Sequence, residues 1–147
     1  MEQPIVYNSN QISVIFGPHM IIWGRGEEEF CKVEYEGDLA EDVVGSCGGT
    51  LVSVSNDRRA TVTLTLLYGS VNNEFLSATA NMATLTGGVT LMPLLIKDLT
   101  GTTLFAAQHA YIQKKPDVTY GKSPSDNVWV IRALNLIGHV GAQLPVV

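Results

Sequence analysis

Residues 49–68 constrain the fold of this chain more than any other stretch. Two runs, 50–55 and 60–66, alternate aliphatic and hydroxyl side chains on either side of Asn56-Asp57-Arg58-Arg59. Successive side chains of a strand point to opposite faces, so the spacing predicts a single β-hairpin with two chemistries. Val52, Val54, Val62, Leu64 and Leu66 fall on one face, and Ser53, Ser55, Thr61, Thr63 and Thr65 on the other. The first face suits a dry core. The second carries small hydroxyls almost without charge or aromatics, and suits a wall that a cargo slides past better than a pocket that holds a ligand.

The rest of the composition agrees with a packed domain that has apolar surface to spare. The chain has 147 residues, 16% of them charged, and a mean hydropathy of +0.18. That length suits one domain with a substantial core. No apolar run approaches the ~20 residues that span a bilayer. Met1-Glu2-Gln3-Pro4 lacks the basic region and apolar core of a secretion signal, and no membrane anchor is expected. Subunit contacts are the economical place for the excess apolar surface. A net charge of −5 argues against a dedicated nucleic-acid binder, which is normally basic. It leaves room for a surface that nucleic acid passes without sticking.

Along the chain, residues 11–16 and 19–23 are predicted to form a hairpin about Gly17-Pro18, with Gly24-Arg25-Gly26 as a turn and 28–35 as a further strand. Residues 36–48 read as a long Gly-rich acidic loop in which Asp38, Glu41 and Asp42 surround Leu39, Val43 and Val44. A connection of that length is usually functional or mobile, and its apolar residues suit docking. Residues 70–83 carry the one helical pattern, with Ser70 as N-cap and Val71, Phe75, Ala78 and Met82 on one face. Strands follow at 91–97 and 102–113, then a loop at 114–125, a long last strand at 127–138 and a short tail. Seven or eight strands and one helix favour a small β-sandwich or barrel with a flanking α-helix. The last strand is apolar on both sides: Val128, Val130, Leu134 and Leu136 on one, Trp129, Ile131, Ala133 and Ile137 on the other. One face of an antiparallel strand normally meets water, so this one is expected to be covered by a neighbour.

Catalytic chemistry has little support. His19, His109 and His139 stand far apart in sequence, each in an apolar segment without an adjacent carboxylate or nucleophile. No nucleophile elbow or phosphate loop occurs. Cys31 and Cys47 lack zinc-ligand spacing and read as free thiols, and Glu27-Glu28-Glu29 reads as a solvated charge run. Lys114, Lys115 and Lys122 form the only basic concentration, interrupted by Asp117, and suit pairing with an acidic patch on another subunit. Asn56-Asp57-Arg58-Arg59 reads equally as a binding tip or a polar turn.

Four motifs in order carry a family likeness. They are Ser55-Asn56-Asp57-Arg58 leading into Thr61-Val62-Thr63-Leu64-Thr65-Leu66; Asn72-Asn73-Glu74-Phe75-Leu76-Ser77-Ala78; Pro93-Leu94-Leu95-Ile96-Lys97-Asp98 with Gly101-Thr102-Thr103-Leu104; and Lys114-Lys115-Pro116-Asp117-Val118 through Tyr120-Gly121-Lys122. Together, over residues 11–138, they resemble the tail tube proteins of contractile-tailed bacteriophages. The resemblance implies a tail-tube-like β domain over the whole chain, related in fold to the ring protein of type VI secretion. It also implies hexameric rings stacked into a tube inside a sheath and above a baseplate, holding a tape-measure protein and then conducting DNA. Such a protein is a virion tail component assembled in the host bacterial cytoplasm, is not an enzyme and needs no cofactor or metal.

Under that resemblance, Lys32, Glu34, Ser53, Ser55, Thr61, Thr63 and Thr65 are expected to line the bore. Asp38, Leu39, Glu41, Asp42, Val43 and Val44 are expected to meet the next ring, and Trp129, Ile131, Ala133 and Ile137 to form a subunit interface. Lys32 requires a carboxylate partner there, Glu34 or one from a neighbour. The apolar tail 144–147 either packs across a ring junction or frays. The alternatives are a terminator or baseplate ring of the same fold, or a β-sandwich ligand-binding module.

Overall fold

In the computed structural model, residues 5–21 and 24–143 are described; the predicted strand position of Trp23 and the tail 144–147 lie outside them. Among the described residues, ten strands and one α-helix follow a short 3-10 turn at Ser9–Gln11. The strands are β1 (Ile12–Phe16), β2 (His19–Ile21), β3 (Cys31–Tyr35), β4 (Ala40–Val44), β5 (Thr50–Val54), β6 (Ala60–Leu66), β7 (Met92–Asp98), β8 (Leu104–Lys114), β9 (Asn127–Ala133) and β10 (Leu136–His139), with α1 (Val71–Thr86) between β6 and β7. Eight strands form one antiparallel sheet in the order β2-β1-β7-β8-β9-β6-β3, with β10 also on β8, and the sheet wraps into a sandwich-like body. β4 and β5 form a separate two-stranded sheet.

The core is built from alternation. In β6, Ala60, Val62, Leu64 and Leu66 are buried while Thr61, Thr63 and Thr65 between them are half-buried. Trp129, Ile131 and Ala133 of β9 lie beside them in register, and Val14, Phe16, Leu94 and Ile96 come from β1 and β7. α1 closes one end of this core. Ser70 caps it, its hydroxyl accepting from the Asn72 amide, and Gly87 ends it at φ 72, a left-handed conformation that glycine adopts without a Cβ penalty.

Several expectations need correction. The segment 49–68 is not one hairpin. Both edges of β6 are occupied, by β3 and by β9, so β5 pairs with β4 instead. Val52 and Val54 are therefore exposed rather than core, and Ser53 and Ser55 do not share a face with Thr61, Thr63 and Thr65. The predicted loop at 36–48 contains β4. Together 39–55 form a protruding hairpin, the arm.

Trp129, Ile131 and Ala133 cannot serve as a subunit interface, because their side chains fill this protomer's own core. The strand carrying them breaks at Leu134-Asn135 and resumes as β10, which leaves Ile137 exposed and buries Leu136. On the second side of β9, Val128 is exposed and Val130 half-buried. α1 runs three residues beyond its predicted end, and its inward residues are Asn72 and Leu76 rather than Val71 and Met82, which are exposed. Asn72 is turned inward by a polar partner: its Oδ1 lies 2.7 Å from Nε2 of His19, whose ring stacks on Phe75.

The faces assigned to β5 and β6 give opposite mutational costs. Leu64→Ala should destabilise the protein by ~2–5 kcal/mol through a core cavity, whereas Val52→Ala should stay within ~0.5 kcal/mol. Urea denaturation in dilute solution measures both; equal costs would mean that β5 is packed into the body.

Candidate functional site

Two surfaces of the body remain without an obvious job within one protomer: the outer face of the β3–β6–β9 sheet, and the arm. Strand pairing aligns the first in rows. Glu34, Thr61, Arg132 and Tyr111 form one row across β3, β6, β9 and β8, and Lys32, Thr63, Val130 and Lys114 the next. Thr65 stands opposite Val128. The structure thus brings Lys32, Glu34, Thr61, Thr63 and Thr65 onto one face. Ser53 and Ser55 are on the arm.

This face is less bare than its threonines suggest. Arg132 Nη1 donates to Glu36 Oε1 at 2.6 Å and to Thr61 Oγ1 at 3.1 Å, and Thr61 Oγ1 donates to the same Glu36 oxygen at 2.8 Å. The Thr61 hydroxyl is the main group holding the Glu36 carboxyl below its ordinary pKa; desolvation opposes it, and the charge and hydrogen bond of Arg132 add smaller lowering effects. Sequence reasoning named neither Glu36, which sits just past β3, nor Arg132, which interrupts the apolar pattern of β9, as a site residue. The register that sets Arg132 opposite Thr61 is the signal joining them. Lys32 makes no ion pair with Glu34; among the described residues, the ion pairs are Arg132–Glu36, Arg59–Asp57 and Lys114–Asp117.

The turn before β6 is closed on itself. Arg59 donates to Asp57 through Nε at 2.9 Å and Nη2 at 2.8 Å, and its backbone amide adds a third bond at 3.1 Å. These bonds bring the Asp57 carboxyl down to about 2. The Leu136 amide donates to the Arg58 carbonyl, tying the turn to β10. Asp57 and Arg59 therefore belong to a polar turn.

The arm is exposed on both faces. Its register puts Ala40, Asp42, Val44, Thr50, Val52 and Val54 on one side and Glu41, Val43, Leu51 and Ser53 on the other. Val43, Val44, Leu51, Val52 and Val54 are 58–70% exposed. An apolar groove of about 470 Å³ lies at its root, lined by Tyr35, Leu39, Leu136 and Ile137. Gly138 lets Tyr35 and Phe105 pack closely on β10: a Cβ there would collide with the Tyr35 hydroxyl and the Phe105 ring.

Among the described residues, neither surface gathers a set of catalytic or metal-ligating side chains. His19 is engaged with Asn72, and His109 and His139 are exposed on β8 and β10. Burial pushes the Cys31 thiol up to about 11. Among the described residues, no three His, Cys, Asp or Glu side chains are grouped to hold a metal ion. No helix among them is long and apolar enough to cross a membrane.

Residues 15–141 match the family model of the bacteriophage PhiTE tail tube protein. No curated protein matches by sequence. Solved structures with the same fold include the anti-feeding prophage cap, a tube-terminating cap, at 10% identity and TM-score 0.60, with 95% of this chain and 93% of that one covered. The sheath/tube terminator of the extracellular contractile injection system PVC gives 13% identity and TM-score 0.59 over 95% and 99%. A chain of the PVC sheath-tube complex gives 16% and 0.53 over 97% and 93%. At these identities the likeness establishes the fold: a mainly β, tail-tube-like domain with one helix.

The Glu36–Thr61–Arg132 network carries a pH signature. A carboxyl with a depressed folded pKa adds stability above its unfolded value, and that stability is lost as pH falls through the folded value. Glu36→Gln should therefore lower the melting temperature at pH 7, and the difference from the native protein should shrink as pH drops below 4. A difference that stays constant down to pH 2 would show that the Glu36 charge is not what Arg132 and Thr61 hold.

Proposed function

We propose that this chain, which belongs to the bacteriophage PhiTE tail tube protein family, is the repeating subunit of an inner tail tube whose rings stack through the β4–β5 arm. It is a structural tail protein and not an enzyme. The arm is the observation that carries the finer reading. A two-stranded hairpin with apolar residues on both faces is at best marginally stable by itself in water, so it needs a partner surface. Asp38, Leu39, Glu41, Asp42, Val43 and Val44, expected to meet the next ring, all belong to this hairpin or its root.

In this reading the body's outer sheet face lines the bore, with Thr61, Thr63, Thr65, Lys32 and Glu34 contributed by each of six subunits. The core occupies the other side of β6, which supports this orientation. Arg132 and Tyr111 share the wall, with the Arg132 charge neutralised by Glu36. Val128 and Val130 stand opposite Thr65 and Thr63 and so belong to the same wall; Ile137, at the apolar margin of the arm-root groove, is left as the contact residue between subunits in place of Trp129, Ile131 and Ala133. A wall of threonines in which Arg132 is neutralised by Glu36 and Lys32 is the one unpaired cation contributed by β3 and β6 would let DNA pass with little adhesion, and a net negative protein repels phosphates. Sheath, baseplate and tape-measure proteins would be the partners, in a virion tail assembled in the host bacterial cytoplasm.

A terminator ring is the second reading, favoured by the two terminators among the similar folds. A tube subunit is present in many copies per virion and a terminator in one ring, so stoichiometry in purified particles separates them. Negative-stain microscopy of the concentrated protein should show rings or tubes; dispersed monomers alone would sink the tube reading. Val43→Asp with Leu51→Asp should leave protomer stability within ~0.5 kcal/mol and abolish stacking. Thr63→Lys should assemble but slow DNA delivery, and unchanged delivery would reject the bore assignment.

A further inference from the structure

One groove in the body offers an open strand edge and a basic rim, the counterparts of the arm's free edges and acidic side chains. β7 accompanies β8 only as far as Met92, opposite Ala110. From Tyr111 to Lys114, β8 has β9 on one edge and, among the described residues, no strand on the other. The last turns of α1 and residues 87–90 stand across from this open edge and enclose a groove of about 330 Å³. Its floor is small and apolar at Ala80, Ala83 and Ile112, and its rim is basic at Lys114 and Lys115. Lys115 Nζ donates to Asn81 Oδ1 of α1 at 2.6 Å, and Lys114 is 3.7 Å from the exposed Asp117.

The arm has the complementary properties. β4 and β5 pair only with each other, so each has a free edge. Asp38, Glu41 and Asp42 make it acidic, and its turn is Gly45-Ser46-Cys47-Gly48-Gly49, small enough to enter a narrow cleft. The two features are different parts of the protomer: Ala60, Ala133 and Ala110 form the row at the arm's root, while β8 runs from there to Lys114, opposite Val130 in the middle of β9. A contact between two different surfaces of two copies is heterologous and leaves one of each free, so it can repeat.

We propose that this groove receives the β4–β5 arm of a second copy of the chain, an arm strand pairing along the open edge of β8 while Lys114 and Lys115 meet Glu41 and Asp42. Backbone pairing supplies the binding and the charges set direction and register. The inference rests on the tube reading and names the contact that stacks its rings.

Cys47 at the arm's tip is exposed and provides the reporter; Cys31 on β3 is half-buried, and desolvation raises its thiol to about 11, which disfavours the reactive thiolate. Thr84→Cys and Val89→Cys each place a thiol in the groove, and Leu99→Cys places one at the β7–β8 turn as control. Assembled Thr84→Cys or Val89→Cys protein treated with a short bis-maleimide should run as a ladder of covalent oligomers that disappears with Cys47→Ser. Tubes that give no ladder from either groove position, or a ladder from Leu99→Cys alone, would overturn the proposal. Charge exchange gives an independent reading. Lys114→Glu with Lys115→Glu should leave a folded protomer by circular dichroism that forms no stacked tubes, and adding Glu41→Lys with Asp42→Lys should restore them. Normal tubes from the lysine pair variant would overturn the groove as receiver while leaving the tube function standing. A native protein that never stacks would instead remove the function itself.

Discussion

The pairing of β6 on both of its edges is the constraint from which the rest of the molecule follows. β3 takes one edge and β9 the other, in registers of five and seven residues. That arrangement brings the apolar side of β6 against Trp129, Ile131 and the β1–β7 layer, and turns its threonines outward. It also leaves β5 without a place in the body. The segment from 39 to 55 can satisfy its backbone only by folding back on itself, which makes it an arm. The bore wall and the stacking element of the proposed tube are thus two consequences of one pairing choice.

Much of the fold is legible in the sequence because its signals are local. The β1–β2 hairpin is announced by Gly17-Pro18, and α1 by the cap at Ser70 and the Gly87-Gly88 stop. The face of β6 is fixed by its own alternation. What the sequence leaves open is the partner of each strand. β5 and β6 carry the same alternation across a short polar turn, which is the ordinary signature of a hairpin, and nothing local reveals that both edges of β6 are already occupied.

Misread faces elsewhere have a similar origin. Asn72 is a polar residue at a buried helix position, and only the arrival of His19 from β2 makes that position tolerable. On β9, two apolar faces leave the core side undetermined until Leu64 is seen opposite Trp129. The candidate site divides along the same line. Thr61, Thr63 and Thr65 are visible as a stripe, but the Arg132–Glu36 pair that crosses it joins residues 96 positions apart and exists only in the folded sheet.

An exposed apolar hairpin with free edges is a liability for aggregation through arm-to-arm pairing. Two arms could in principle pair edge to edge, since each offers free N–H and C=O groups and valines on both faces. Every arm carries Asp42 and Glu41 within β4 and Asp38 at its root, and no lysine or arginine between 36 and 55. Arm-to-arm pairing therefore brings carboxylates together without a cation to offset them, and like charges across a ladder are destabilising. The groove beside β8 offers the same hydrogen-bonding edge with Lys114 and Lys115 at its rim. In the proposed stacking, the acidic residues would thus act less as glue than as a filter: they would leave the hydrophobic and backbone gain of docking in place while penalising the partner that is always present at equal concentration.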